Sequence, residues 1–448
     1  MQTRITSRNV STRRCAYWVM TRLARVLVRV FFRSIELDGG DLVPSSGPLV
    51  LVANHTNGLV DGLLLMATLS RYPRFLGKST LFRIPPLWPF LKLAGVIPVF
   101  RAMDAVAGDR NDAAFATSRT ILRSGGVVAV FPEGISHDDH TLHPLKTGTA
   151  RIVLDAEANG IEGVSVVAVG LTFDAKSKFR SRVLVRVAPA MDGAPDLHSG
   201  DARDSVRALT ERVGVQLTSV CPTFSSPVDA DVWSHMAEIV VRPPRTSFPA
   251  DVDLGDQLDT AARLSAASQG SVTGPVTPLR SAFTAYARDL DLIGLSDAQV
   301  SAGYPPGRLR LTVGCGSVKV VFALPAVVVG VAVHIVPFQI VKRLARQPAN
   351  EGIKATVKLL TCFVSFLLVY ATCGIVVGNR LGWLVGTAVA VGAPACGYAT
   401  VMCHERIRRT AEIMEGYRKV RRQRSTIESI RGHRAAVMHA AHALIGTT

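Results

Sequence analysis

At 448 residues, 48% apolar and with a formal net charge of +17, the chain can bury one sizeable core and still carry further elements. The charge is concentrated at the ends: residues 1–34 hold eight arginines and no acid, and residues 404–448 hold ten Lys or Arg against four Glu. No finger spacing, RNA-binding aromatic motif or repeat accompanies it, so nucleic acid is excluded as a partner and the basic ends are assigned to anionic membrane lipids.

Cysteines occur at 15, 221, 315, 362, 373, 396 and 403, with no CxxC pair, which argues against a disulfide framework or a cysteine zinc site. Arginines interrupt the N-terminal apolar pattern, so a cleavable signal is not expected. Between Cys15 and Arg33 the arginines at 22, 25, 29 and 33 recur every three or four residues. Trp18, Val19, Leu23, Val26, Leu27, Val30 and Phe31 occupy much of the rest. This pattern predicts a basic amphipathic helix of the interfacial kind within residues 1–40.

From 48 to about 190 short β-rich runs alternate with helical patterns. Strands are expected at 48–53, 74–78, 95–100, 127–131, 164–172 and 183–188, and helices at 59–70, 81–93, 110–123 and 147–157. That alternation predicts an α/β domain over 41–200, with a mixed, mostly parallel sheet flanked by helices. Residues 201–317 read as a helical and linker region, with helices near 202–219, 254–268 and 278–292. A membrane region is expected over 318–403, where apolar stretches at 320–341, 359–377 and 381–402 each approach a bilayer crossing. The last two are separated by so few residues that they predict a tight transmembrane hairpin. A basic cytosolic tail follows over 404–448.

The chemistry centres on the run VANHTNGLVDGLLL, where His55 and Asp61 follow an apolar strand. An imidazole oriented by a carboxylate is the minimal general base for activating a hydroxyl. No serine elbow, Cys–His pair or metal signature accompanies the pair, so the attacking group should be the substrate's own hydroxyl. Six residues turn a regular helix by about 240°, so Thr56, Asn57 and Gly58 must form a turn that returns the carboxylate to the ring. Gly58 permits such a turn.

Four blocks occur in order: NHTNGLVD; GVIPVFR, ending in Arg101; FPEGISH (131–137), continued as LHPLKTGTARI (142–152); and VVAVGLTF (166–173). In these the chain resembles the glycerolipid acyltransferases that make lysophosphatidic and phosphatidic acid. Five residues separate His55 from Asp61 where most of that superfamily has four. With FLGKSTLFR downstream, this is similar to the branch acylating glycerol-3-phosphate or dihydroxyacetone phosphate. Two departures stand out: Ser136 replaces the usual arginine of the third block, and Ala168 a frequent proline of the fourth.

The resemblance implies a membrane-bound O-acyltransferase with no cofactor and two co-substrates, an acyl-CoA or acyl carrier protein thioester and a phosphate-bearing glycerol acceptor. The alternatives are a 1-acylglycerol-3-phosphate or other lysophospholipid acyltransferase, and a non-catalytic lipid-binding membrane protein. It implies His55 as base and Asp61 as its orienting partner, with N–H groups near Leu59 offering an oxyanion hole. Arg101, Lys146 and Lys78 are the expected cations for the acceptor phosphate, and Glu133 and Gly134 line the acceptor site. Glu133 has a structural alternative as a helix cap. The HDDHTLH run has HxxH spacing at His137 and His140, but it lies in a polar loop and no metal is expected.

Such a domain should face cytosolic thioesters, and Lys342, Arg343 and Arg346 also favour the cytoplasmic side. Both ends of 320–341 then fall on one side, and Pro325, Pro337 and His334 suit a span poorly. That segment is therefore expected to be re-entrant or interfacial, with three spans as the alternative.

Overall fold

The computed structural model describes residues 3–446 apart from 86, 101–106, 138, 140, 177, 194–200, 225, 270–275 and 345–350. It divides into two units: Met1–Thr223 with Gln347–Leu360, and Phe224–Arg346 with Thr361–Thr448.

The first unit is built on an eight-stranded sheet. Its strands are β1 (Phe32–Asp38), β2 (Leu49–Ala53), β3 (Pro73–Lys78), β4 (Ile97–Val99), β5 (Val127–Val130), β6 (Ser165–Phe173), β7 (Ser181–Val187) and β8 (Met191–Asp192). They run in the order β1-β7-β6-β2-β5-β3-β4, with β8 beside β6. Every pairing is parallel except β6 with β7 and β6 with β8. This is the mixed, mostly parallel sheet expected from the alternating pattern.

The sequences of the central strands explain their place. β2 reads LVLVA with every residue buried, as a strand covered on both faces must be. Leu49, Leu51 and Ala53 enter one core with Val127, Ala129, Val167 and Val169. Val50 and Val52 enter the other with Val128, Val130, Val166 and Ala168. The first face is closed by α1 (Thr3–Phe31), through Ala24 and Val28, and by α2 (Leu59–Thr68), through Val60, Leu64 and Leu65. The second is closed by α4 (Ala107–Arg123), α5 (Gly148–Ala158) and α6 (Ala202–Val220). The short α3 (Trp88–Leu93) precedes β4. At Gly170 of β6 the end of α6 comes close to the sheet, since a Cβ there would lie 2.1 Å from the Val220 carbonyl oxygen.

Three differences from the sequence reading have physical causes. The helical pattern of the sequence extends to Arg33, but α1 stops at Phe31 and residues 32–38 form an edge strand on β7. The α1 helix packs Met20, Ala24 and Val28 inward while leaving Trp18 and Val26 each 59% exposed, so it is both a packed helix and an apolar surface. The boundary expected at 200 falls at 223/224, because Leu209, Val213 and Leu217 of α6 belong to the core of the sheet.

The second unit is helical. Its elements are α7 (Pro227–Val241), α8 (Leu254–Gln269), α9 (Val276–Ile293), α10 (Asp297–Ser301), α11 (Pro306–Leu344), residues 361–381 of α12 (Glu351–Leu381), α13 (Trp383–Arg422) and α14 (Arg424–Ile445). Trp233, Tyr286 and Val437 anchor one core. Beside it the Asp297 carboxylate accepts from Arg242 Nε at 2.7 Å, Arg434 Nε at 2.8 Å and Tyr286 OH at 2.7 Å, so these buried charges are paired and hydrogen-bonded. Burial and the Asp297 charge push the Tyr286 hydroxyl far above its ordinary pKa.

Among the described residues three helices are long and apolar enough to cross a membrane: Pro306–Arg343, Thr361–Leu381 and Trp383–Arg422. The expected hairpin is present, with only Gly382, at φ 96°, between α12 and α13. Small residues let its arms approach, and a Cβ on Gly386 would lie 2.4 Å from the Gly374 oxygen. Residues 320–341, expected to be re-entrant or interfacial, lie within α11, which runs as helix through Pro325 and Pro337. The His334 ring nitrogens lie 2.7 Å from the Gly330 oxygen and 2.7 Å from Tyr370 OH, which lowers the cost of burying an imidazole among apolar side chains.

Candidate functional site

Strands β2, β5 and β3 are parallel neighbours, so their C-terminal ends share one edge of the sheet, the place where open α/β sheets bind ligands. His55 lies just beyond β2, Glu133 just beyond β5, and Lys78 ends β3. The 54–58 segment is held firmly. Asn54 Nδ2 donates to the Leu171 oxygen at 2.9 Å and Asn54 Oδ1 accepts from Leu171 N at 2.7 Å, tying the turn to β6.

His55 Nδ1 lies 2.9 Å from Asp61 Oδ2, which also accepts from Asn57 N at 2.8 Å. The Asp61 side chain is fully buried and that of His55 is 20% exposed, which leaves the ring open to a substrate. With Nδ1 donating to a carboxylate, Nε2 is the free base. Gly58 takes φ 57°, ψ −128°, a conformation that favours glycine, and α2 starts directly after it. The turn inferred from the six-residue spacing is therefore present.

The FPEGISH segment, 78 residues downstream, grips the same turn. Glu133 Oε1 accepts from His55 N at 2.9 Å, and His137 N donates to the His55 oxygen at 3.2 Å, so both backbone polar groups of the base are held by one loop. Ser136 Oγ accepts from Gly58 N at 3.1 Å. The Phe131 ring stacks on His55 with centroids 4.2 Å apart. The second oxygen of Glu133 receives His143 N at 2.8 Å and pairs with His137 Nε2. Both carboxylate oxygens are thus committed to the protein. Glu133 thereby clamps the backbone of His55, the residue that the resemblance implies as base.

The remaining residues divide. Lys146 lies against Gly134, whose φ is 70°, and a Cβ there would meet the Lys146 ammonium at 2.6 Å. Lys78 is exposed on the same sheet edge. Arg101 and His140 lie outside the described residues. Thr56 Oγ1 and Asn57 Nδ2 are buried without a partner among the described residues, which makes the floor of the site polar. The amides of His55, Asn57, Gly58 and Val60 already donate within the protein, whereas among the described residues those of Thr56 and Leu59 make no such bond.

His137, Asp139 and His143 place ligand atoms within 4.8 Å of one another. The trio is bonded internally: His143 Nε2 lies 2.5 Å from Asp139 Oδ2, and the His137 and His143 rings stack at 3.8 Å. The hydrogen bond from His143, then the nearby imidazoles, hold the Asp139 carboxyl below its ordinary pKa. The cluster buttresses Glu133. Cys221, near Glu133, is a poor nucleophile, because burial first and the Glu133 charge second push its thiol up to about 12.

Sequence inspection missed the tasks of His137, Ser136, Phe131 and Asn54, although all four lie inside the recognised blocks. The structure is thus an α/β domain with a clamped His–Asp pair at the C-terminal edge of its sheet. Residues 34–172 match the family model described as Acyltransferase, and this domain belongs to that family.

The chain is similar to glycerol-3-phosphate O-acyltransferase 2 of Saccharomyces cerevisiae, 31% identical over 186 residues, covering 40% of this chain and 24% of the relative. It is also similar to yeast glycerol-3-phosphate O-acyltransferase 1, 23% identical over 306 residues, covering 48% and 40% respectively. A sheep relative, 1-acyl-sn-glycerol-3-phosphate acyltransferase alpha, is 28% identical over 193 residues, covering 43% of this chain and 64% of the relative. The chain thus spans less than two thirds of the length of each of these relatives. The crystal structure of the 1-acyl-sn-glycerophosphate acyltransferase PlsC from Thermotoga maritima aligns with a TM-score of 0.35 at 18% identity, over 46% of this chain and 81% of that one.

Proposed function

We propose that the chain is a membrane-bound acyltransferase that moves a fatty acyl group from a thioester to a hydroxyl of glycerol-3-phosphate or dihydroxyacetone phosphate. The observation that carries this is the His55–Asp61 pair, with its backbone clamped at N–H and C=O by one loop. The two yeast relatives named as glycerol-3-phosphate O-acyltransferases support the choice of acceptor. The five-residue spacing between His55 and Asp61 agrees with it.

In this reaction His55 Nε2 takes the proton of the acceptor hydroxyl as its oxygen attacks the thioester carbonyl carbon. Asp61 holds the ring in one tautomer and stabilises the imidazolium that forms. The tetrahedral oxyanion is met by amide donors of the 56–59 turn. Collapse breaks the C–S bond, and the imidazolium returns its proton to the leaving thiolate. Lys146, with Lys78 and Arg101, attracts the acceptor phosphate. The three apolar helices hold the domain at a bilayer on its cytoplasmic face, with the exposed Trp18 and Val26 and the arginines of α1 toward anionic lipid.

The test is transfer from labelled acyl-CoA to each acceptor by the full chain in lipid nanodiscs. Product with glycerol-3-phosphate or dihydroxyacetone phosphate is expected. Product with 1-acylglycerol-3-phosphate alone would replace the acceptor assignment.

A further inference from the structure

The group formed by His137, Asp139 and His143 has one unsatisfied member. The His137 side chain is 8% exposed, and its Nδ1 is buried without a hydrogen-bond partner among the described residues. Its other nitrogen, Nε2, faces the Glu133 carboxylate, an acceptor, and so carries the proton. Nδ1 is left with a lone pair and no donor. A protonated ring would fare no better, since Asp139 Oδ2, at 3.9 Å, is too far to accept from Nδ1. The same Oδ2 lies 2.5 Å from His143 Nε2, and all three ligand atoms fall within 4.8 Å of one another. Ligand atoms held at about 2.0–2.2 Å by one tetrahedral ion stand roughly 3.3 Å apart, inside that spread.

We propose that His137 Nδ1, Asp139 Oδ2 and His143 Nε2 bind a zinc ion, with water in the fourth position. An imidazole that gives its second N–H to a carboxylate is prepared as a metal ligand, because that bond fixes its tautomer and raises its basicity. Glu133, with its side chain fully buried, is that carboxylate for His137. Two nitrogens and one oxygen suit Zn²⁺ rather than Mg²⁺ or Ca²⁺, which take oxygen ligands. A dication also offsets the charges of Glu133 and Asp139, and Asp139, 63% exposed, leaves room for the water. The polar loop gave no expectation of a metal from sequence, yet the fold stacks His143 on His137 with centroids 3.8 Å apart. The ion touches no reacting atom. It ties residues 137–143 around Glu133, whose oxygens receive His143 N at 2.8 Å and His55 N at 2.9 Å. Its effect on turnover rests on the acyltransferase reading, whereas its binding does not.

The test uses the full chain, free of any affinity tag, in nanodiscs after chelator treatment and dialysis. Calorimetric titration with Zn²⁺ should show a single strong site per chain, and Co²⁺ in its place should give the intense visible absorption of tetrahedral coordination. Asp139→Ser and His143→Ala should each weaken Zn²⁺ binding about a hundredfold or more. Zn²⁺ should raise the melting temperature of the wild type and leave that of both variants unmoved. In the wild type kcat should fall about tenfold on stripping and recover when Zn²⁺ is restored. No Zn²⁺ uptake, uptake that both variants retain, or preference for Mg²⁺ would overturn the proposal. Equal kcat of stripped and zinc-loaded wild type would overturn the coupling to His55. Zn²⁺ uptake that needs Asp139 and His143, in a chain that transfers no acyl group, would support the metal site while removing the acyltransferase reading.

Discussion

The carboxylate of Glu133 holds the backbone of His55: Oε1 accepts the His55 amide at 2.9 Å across 78 residues of sequence. Through this bond the third sequence block sets the position of the first. The two roles open to Glu133 have different kinetic signatures. As a positioning residue, Glu133→Gln should lower kcat about a hundredfold through a displaced base, with the acceptor KM little changed. A direct acceptor contact would raise the KM for glycerol-3-phosphate instead, and steady-state kinetics at varied acceptor separate the two.

Asp61 fixes the His55 tautomer from a fully buried position, and its Oδ2 also receives Asn57 N. Asp61→Asn preserves the shape but removes the charge that steadies the imidazolium, so kcat should fall on the order of 10³ to 10⁴. The check is kcat at saturating donor and acceptor, with circular dichroism confirming the fold. A loss under tenfold would mean that Asp61 only packs.

Cys221 is buried beside Glu133, with its thiol pushed up to about 12. At neutral pH it stays protonated, which bars it from serving as an acyl-accepting thiolate. Cys221→Ala should keep turnover within about twofold, since such a buried thiol is inert. Mass spectrometry after brief iodoacetamide treatment of the native protein should find Cys221 unmodified, whereas the exposed Cys15 reacts.

Gly170 marks a close approach of sheet and helix. Gly170→Ala would place a methyl 2.1 Å from the Val220 oxygen and push α6 outward. Overpacking of this kind costs about 1–3 kcal/mol, read as a lower melting temperature. Gly62→Ala is the control, because its Cβ would sit 3.9 Å from the Phe75 ring in ordinary contact. On the helical α2 it should be neutral or stabilising by up to about 1 kcal/mol.

Much of this architecture was legible in the sequence because it depends on local pattern. The runs LVLVA, VVAV and SVVAVGLTF are apolar enough that only central, doubly covered strands suit them. The His55–Asp61 turn followed from helical geometry and one glycine. Long-range features were not legible. Nothing local shows that Glu133 spends both oxygens on the protein, or that Ser136, standing where an arginine is usual, caps the Gly58 amide. FRSIELD was misjudged because apolar and arginine residues continue the helical rhythm of α1 into a strand that only pairing with β7 reveals. The PVDADVWSHMAEIVV helix lay unread in a polar region, its Ser226 cap and Pro227 start notwithstanding. Pro325 and Pro337 predict kinks in a re-entrant or interfacial segment, and α11 continues as helix through both, as apolar helices packed on neighbours can.

The central claim is that His55 is the base. The direct measurement is acyl transfer from labelled acyl-CoA to glycerol-3-phosphate by wild type and His55→Ala, each as the full chain in identical nanodiscs. The predicted result is a fall in kcat of about 10³-fold or more, with membrane association and melting temperature unchanged. Turnover by His55→Ala within tenfold of wild type would contradict it.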